Sequence, residues 1–221
     1  QAAYNEIQNL NEKNIGKIAH SVAQGALMGA RGNSGVILSQ IWRGFARALD
    51  NLEVMDASIF SKALIEAKST AYKGVVRPVE GTILTVAKDI ASASEKSLIK
   101  EDSFFEMLEA VVVAADISVK NTPDLLPILK QAGVVDSGGK GLFFILEGFL
   151  KFLKGESLEQ PTSALVQPIA LMEGNEMEEI EPGQDFEVIV DFRPSAPLDL
   201  ENFYENLTQI GTSIQVGEGD G

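Results

Sequence analysis

Gly25-Ala26-Leu27-Met28-Gly29-Ala30-Arg31-Gly32-Asn33-Ser34-Gly35 places four glycines and two small polar residues between two stretches of helical apolar period. Before it, Ile15, Ile18, Ala19, Val22 and Ala26 recur at intervals of three and four, which puts them on one face of a helix. After it, Val36, Ile37, Ile41, Phe45, Ala48, Leu49 and Leu52 resume the same period. A glycine inside a helix costs about 1 kcal/mol against alanine, so this density marks a break between two helices. Backbone amides at such a break can face an anion at the start of a helix near Ser34, where the macrodipole also favours negative charge. The other reading is a tight helix–helix connection whose small residues allow close approach. The spacing is not that of a Walker A loop.

The helical pattern extends outward from this break. Ile59, Phe60, Ala63, Leu64, Ala67 and Ala71 predict a third helix closed by Gly74, and 82–93 a fourth with Gly81 and Thr82 at its start. Ser103 and Glu106 have capping-box spacing ahead of the apolar stretch 107–117. Thr122 before Pro123 reads as an N-cap with proline at the first helical position, of a short helix that Gly133 ends. A further helix runs over about 140–154, with Gly155 just past its end. Residues 1–155 therefore read as one mainly α domain.

Residues 156–187 hold nine acids and no lysine or arginine, with three prolines, and read over 156–182 as an acidic linker. From residue 183 a second, incomplete α/β segment is expected. The alternation of Phe186, Val188, Val190 and Phe192 predicts a strand, Leu200, Phe203, Leu207 and Ile210 a helix ended by Gly211, and 212–216 a second strand. Two strands and one helix are too few to cover a sheet edge, so this piece needs a remainder or a partner.

Composition removes several function classes. Lys and Arg total 18 against 32 acids, a net charge of −14, which disfavours nucleic acid and anionic lipid surfaces. With no cysteine there is neither disulfide nor thiolate chemistry, and the expected compartment is the cytoplasm. No apolar run is long enough to span a bilayer. His20 is the one histidine, on the polar side of the first helix and expected to be solvated, which leaves no histidine triad or zinc cluster. Trp42 and the phenylalanines fall at or near helical core positions.

Two further clusters carry chemistry. Gly133-Val134-Val135-Asp136-Ser137-Gly138-Gly139-Lys140-Gly141 precedes an apolar helix and approximates a P-loop, but Gly141 stands where a metal-binding hydroxyl belongs. Asp136 and Ser137 there could offer oxygens to a ribose, a metal or backbone amides; the alternative is an ordinary N-cap. Arg77-Pro78-Val79-Glu80-Gly81-Thr82 brings a cation, a carboxylate and a hydroxyl to a helix start.

GALMGARGNSGVILSQIWRGFARAL (25–49), RPVEGTILTVA (77–87) and NTPDLLPILKQAGVVDSGGKGLFFILEGF (121–149) closely resemble the kinase domain of bacterial fatty acid kinase, over roughly residues 14–154. That domain is similar to the nucleotide-binding subunit of dihydroxyacetone kinase, a closed antiparallel barrel of about eight helices with ATP in a cup at one end. The resemblance implies transfer of the ATP γ-phosphate to the carboxylate of a fatty acid. The acid is held by a separate fatty-acid-binding protein, and the acyl-phosphate formed serves phospholipid synthesis. It further implies that Gly29, Ala30, Arg31, Gly32, Asn33, Ser34 and Gly35 contact phosphates, that Thr82 lines the cup, and that Asp136, Ser137, Gly138 and Gly139 approach the nucleotide from the other side.

The segment after about residue 180 resembles the opening of that family's middle domain, implicated in dimerisation, so a homodimer is expected of the full-length form. The family's Mg2+-binding DGDTGTN motif is nowhere in this chain. The Mg2+ ligands are therefore expected upstream in a longer protein, and this chain alone is expected to be inactive. The competing readings are a kinase of a small acceptor of the dihydroxyacetone type and a non-catalytic nucleotide-binding scaffold.

Overall fold

The computed structural model describes residues 1–100, 103–157, 188, 190, 192, 194–211, 214 and 216. Among them are nine helices and no strand: α1 (Ala2–Ile7), α2 (Ile15–Met28), α3 (Gly32–Arg47), α4 (Ala57–Lys73), α5 (Ile83–Ile99), α6 (Phe104–Leu125), α7 (Pro127–Ala132), α8 (Ser137–Lys154) and α9 (Leu200–Leu207). The protein is mainly α, as the periodicity predicts. No helix among the described residues is long and apolar enough to cross a membrane.

Short polar side chains start most of these helices by accepting orphan amides of the first turn. Asn14 accepts from Lys17 N, Asp56 from Ile59 N and Thr82 from Leu84 N. Ser103 and Glu106 complete the expected capping box. Consecutive helices from α1 to α6 pack as neighbours, and α8 lies against α6 and α5 and returns to α3. One apolar cluster fills the interior, including Ile41, Phe45, Phe60, Leu64, Val86, Ile90, Met107, Val111, Leu142 and Leu146. A run of edge-to-face ring contacts crosses it, from Phe149 through Trp42, Phe45 and Phe60 to Phe104, and ties α8, α3, α4 and α6 together. Not every phenylalanine is core: Phe152 is 71% exposed.

Several expectations change. α6 continues through Thr122 and Pro123 to Leu125, and the short helix after it is capped by Leu126 with Pro127 at its first position. Pro123 has no N–H for the carbonyl of Val119, but the Thr122 hydroxyl donates to that carbonyl at 2.7 Å, so the proline is accommodated in the last turn. The polar N-terminus contains a helix, α1, that periodicity does not mark. It packs on α2, where a Cβ at Gly25 would stand 2.7 Å from Ala3 Cα and one at Gly29 2.3 Å from Ala2 Cβ. Gly25 lies inside α2 and Gly35 inside α3, so the break between the two helices is only Gly29–Arg31, and α3 begins at Gly32 rather than near Ser34. His20 is not simply solvated: its Nε2 lies 2.5 Å from Asp50 Oδ1, joining α2 to the turn that follows α3.

Beyond residue 157, the expected linker 156–182 and the strands 186–192 and 212–216 lie largely outside the described residues. Val188 and Val190 are exposed and in no strand, whereas α9 forms where helical spacing resumes.

Candidate functional site

Three helices begin at one place. An ideal Cβ on Gly138, in the first turn of α8, would stand 3.3 Å from Ser34 Oγ of α3 and 3.4 Å from Ile83 Cβ at the start of α5. Their N-termini border a cavity of about 320 Å3, within the size range of small-ligand sites. Its lining includes Asn33, Ser34, Arg77, Thr82 and Asp136, with an apolar side from Ile37, Val75, Val79 and Leu84.

Two of the three N-termini are closed by their own side chains. Thr82 accepts from Leu84 N at 3.3 Å while its hydroxyl donates to Val79 O at 2.8 Å. Asp136 Oδ2 accepts from Gly139 N at 2.6 Å, and the Ile83 amide also donates to that carboxylate, so one side chain holds the starts of α5 and α8 together. Burial pushes the Asp136 carboxyl above its ordinary value, partly opposed by those two amides. Its backbone is fixed as well, since Asp136 N donates to Thr122 Oγ1 at 3.0 Å. α3 differs: Arg31, at its N-cap, makes no side-chain cap bond. Among the described helices longer than six residues, α3 alone lacks such a cap. Orphan amides at an uncapped N-terminus, with the macrodipole behind them, form a receptor for an anion.

The loop that delivers Thr82 is knotted around Glu80. The Glu80 carboxylate accepts from Tyr72 Oη at 3.1 Å, Thr85 Oγ1 at 2.7 Å and Lys88 Nζ at 2.6 Å, while Thr85 Oγ1 accepts from Gly81 N at 2.8 Å. Lys88, with the two hydroxyls, holds the Glu80 carboxyl below its ordinary value. Gly81 has φ +85°, and a Cβ there would meet Leu126 Cβ at 2.7 Å, so only glycine fits this turn against the α6–α7 junction.

Of the residues singled out from sequence, Asn33, Ser34, Thr82 and Asp136 line the cavity, and Ser137, Gly138 and Gly139 form the first turn of α8 beside it. Gly29 packs under α1, and Ala30 lies 3.4 Å from where a Cβ on Gly35 would stand. The Arg31 guanidinium bonds back to Ala30 O at 2.6 Å, and Gly32 supplies a positive φ where α3 starts. Lys140 is no P-loop lysine, since its ammonium lies 4.6 Å from the centroid of the Phe143 ring. Sequence reading missed Ile37, Val75 and Val76 as lining, because apolar residues at helix ends carry no mark of facing a cavity.

A family model for the DAK2 domain matches residues 1–151. The chain belongs to the DAK2 domain family. This is a kinase-family domain, of the dihydroxyacetone kinase type, and most of the residues that line the cavity belong to it. The DAK2 domain here is similar to an uncharacterized protein of Staphylococcus saprophyticus, 41% identical over 217 residues, or 95% of this chain and 39% of that protein. Uncharacterized proteins of two Staphylococcus aureus strains are each 40% identical over 218 residues, covering 96% of this chain and 40% of theirs. The chain thus spans about two fifths of the length of the curated relatives it matches.

The lining of the DAK2 cavity combines the uncapped start of α3 with a cation, Arg77, a combination suited to an anionic group. It does not by itself fit Mg2+. Among the described residues no group of three or more His, Asp or Glu side chains could hold a metal ion. Asp136, the one carboxylate among the described lining residues, already accepts from two amides.

Proposed function

We propose that this chain is the ATP-binding part of a phosphotransferase, with the nucleotide phosphates at the N-terminus of α3. The observation that carries the reading is the uncapped start of α3 opening on a cavity that the starts of α5 and α8 also border. The amides of the first turn of α3, with the Asn33 and Ser34 side chains, hold and orient phosphate oxygens. Arg77 adds a positive charge, and the apolar side formed by Ile37, Val75 and Val79 receives the base. Asp136 and Thr82 act as clamps that keep the bordering helices in register, so the donors need no reorganisation when ligand arrives.

The acceptor in the whole protein is the carboxylate of a fatty acid held by a separate fatty-acid-binding protein, a reading that rests on the resemblance of segments 25–49, 77–87 and 121–149 to fatty acid kinase. The product is an acyl-phosphate. Two measurements test this. ADP titrated into this chain with Mg2+ should shift the backbone amide resonances of 32–36, 82–84 and 136–139; unperturbed amides at millimolar ADP would remove the nucleotide site. Full-length protein given labelled ATP should phosphorylate carrier-bound fatty acid and not dihydroxyacetone, and the reverse preference would overturn the acceptor.

A further inference from the structure

The cavity has a wall that does not come from the family-matched region. Thr208, Gly211 and Ile214 line it together with Asn33, Ser34, Thr82 and Asp136, although the DAK2 match ends at residue 151. Two bonds seat this segment at the end of α4. Val216 N donates to Gly74 O at 3.2 Å, and Tyr204 Oη donates to Lys73 O at 3.4 Å. Lys73 is the last residue of α4 and Gly74 its C-cap, so the segment takes up carbonyls that a helix end otherwise presents to solvent. The fit is close: a Cβ on Gly74 would stand 3.3 Å from Val216 O.

We propose that 204–211, together with Ile214 and Val216, form a structural wall of the ligand cavity, so that ligand binding and docking of these residues are thermodynamically coupled. The proposal builds on the nucleotide reading only for the identity of the ligand. The segment is a wall and not a plug, because the cavity keeps about 320 Å3 with it in place. Its chemistry suits an anionic guest. In a chain of net charge −14, this segment carries one acid, Glu205, and the residues it turns to the cavity are a threonine, a glycine and an isoleucine. A ligand that touches both walls stabilises the docked arrangement by its differential affinity for it, and the docked arrangement raises ligand affinity by the same factor.

Val216→Pro tests this, since proline has no N–H to give Gly74 O. The site lies outside the helical core, and an unchanged thermal midpoint of α1–α8 shows that the fold survives. The first readout needs no ligand. The chain has no cysteine, so Ile37→Cys places a single thiol in the cavity lining, and its labelling by a maleimide should be roughly fivefold faster when Val216→Pro is added, the factor that one net hydrogen bond supplies. An unchanged labelling rate overturns the wall. The second readout is ADP: it should slow hydrogen exchange of 204–211 in the unaltered chain and bind about fivefold more weakly to Val216→Pro. Equal or tighter ADP binding to Val216→Pro also overturns it. Faster labelling without any ADP binding to the unaltered chain keeps the wall and removes the nucleotide reading.

Discussion

Replacing Asp136 separates a helix clamp from a metal ligand. In Asp136→Ala, α8 loses the cap bond to Gly139 N, and Ile83 N at the start of α5 loses its carboxylate partner. Loss of an N-cap costs about 1 kcal/mol. An amide left without its charged partner costs about 1–3 kcal/mol more if water does not replace it. Relief of the buried charge offsets part of this, because burial already holds the Asp136 carboxyl above its ordinary value. The net expectation is about 2 kcal/mol, or a fall in Tm of about 4–8 °C for a domain of this size. Asp136→Asn keeps an acceptor oxygen and removes the charge, so it should stay within about 1 kcal/mol of the parent.

The pH dependence has a definite sign. A raised carboxyl value means that the folded state holds the proton more tightly than the unfolded chain, so the Asp136 contribution falls as pH rises from the ordinary carboxylate range to the raised value, then levels off. The Tm of Asp136→Asn relative to the parent should therefore improve across that window. Calorimetric scans of the three proteins from acid to neutral pH measure all of this. If Asp136→Asn were as damaging as Asp136→Ala, the clamp would be refuted; a difference from the parent that did not change with pH would mean that burial does not raise the Asp136 carboxyl. If it kept full stability and lost Mg2+-dependent ADP binding, the carboxylate would be serving a metal.

The same glycine substitution should have opposite signs at two helix positions. A Cβ on Gly44 of α3 would lie 2.4 Å from Glu66 O and 2.7 Å from Ala67 Cα of α4, so Gly44→Ala must push two helices apart and should cost about 1–3 kcal/mol despite its better propensity. Gly148 of α8 has nothing within 4 Å of its Cβ position, so Gly148→Ala should gain about 0.5–1 kcal/mol, and urea unfolding of both settles the pair. Glu80→Gln removes a carboxylate held below its ordinary value by Lys88. Stability from that group is present above its usual range and lost on acidification, so the Tm difference between parent and Glu80→Gln should shrink as pH falls through the acid range. A difference that stays constant would mean that the Tyr72, Thr85 and Lys88 knot does not hold the loop.

Much of the helical content was legible because its signals are local. The apolar periods of α2 to α5, the Ser103 and Glu106 box and the terminators Gly133 and Gly155 each depend on residues within a turn or two of one another. α1 escaped because its six residues have no apolar stripe and are held by the glycines of α2. The end of α6 was misplaced because Thr-Pro is the local pattern of a helix start, whereas the Thr122 hydroxyl donates to Val119 O and accepts from the backbone N–H of Asp136, the N-cap of α8. The buried contact of Ser61 Oγ with Ser94 Oγ at 2.9 Å, and the half-buried one of Ser118 Oγ with Asp89 at 2.6 Å, also lay beyond apolar periodicity.

The candidate site divides in the same way. Sequence by itself determined that glycine-rich helix starts stand at 29–35, 81–82 and 133–139 and that small polar residues occupy them, because backbone freedom and capping are properties of a few adjacent residues. Tertiary structure decided the rest. It brought Ser34, Ile83 and Gly138 to one point, left α3 uncapped while Thr82 and Asp136 closed their own helices, and set Thr208, Gly211 and Ile214 opposite them. Those relations depend on how helices far apart in the chain pack around a shared core, and no window of sequence a few residues wide contains that information.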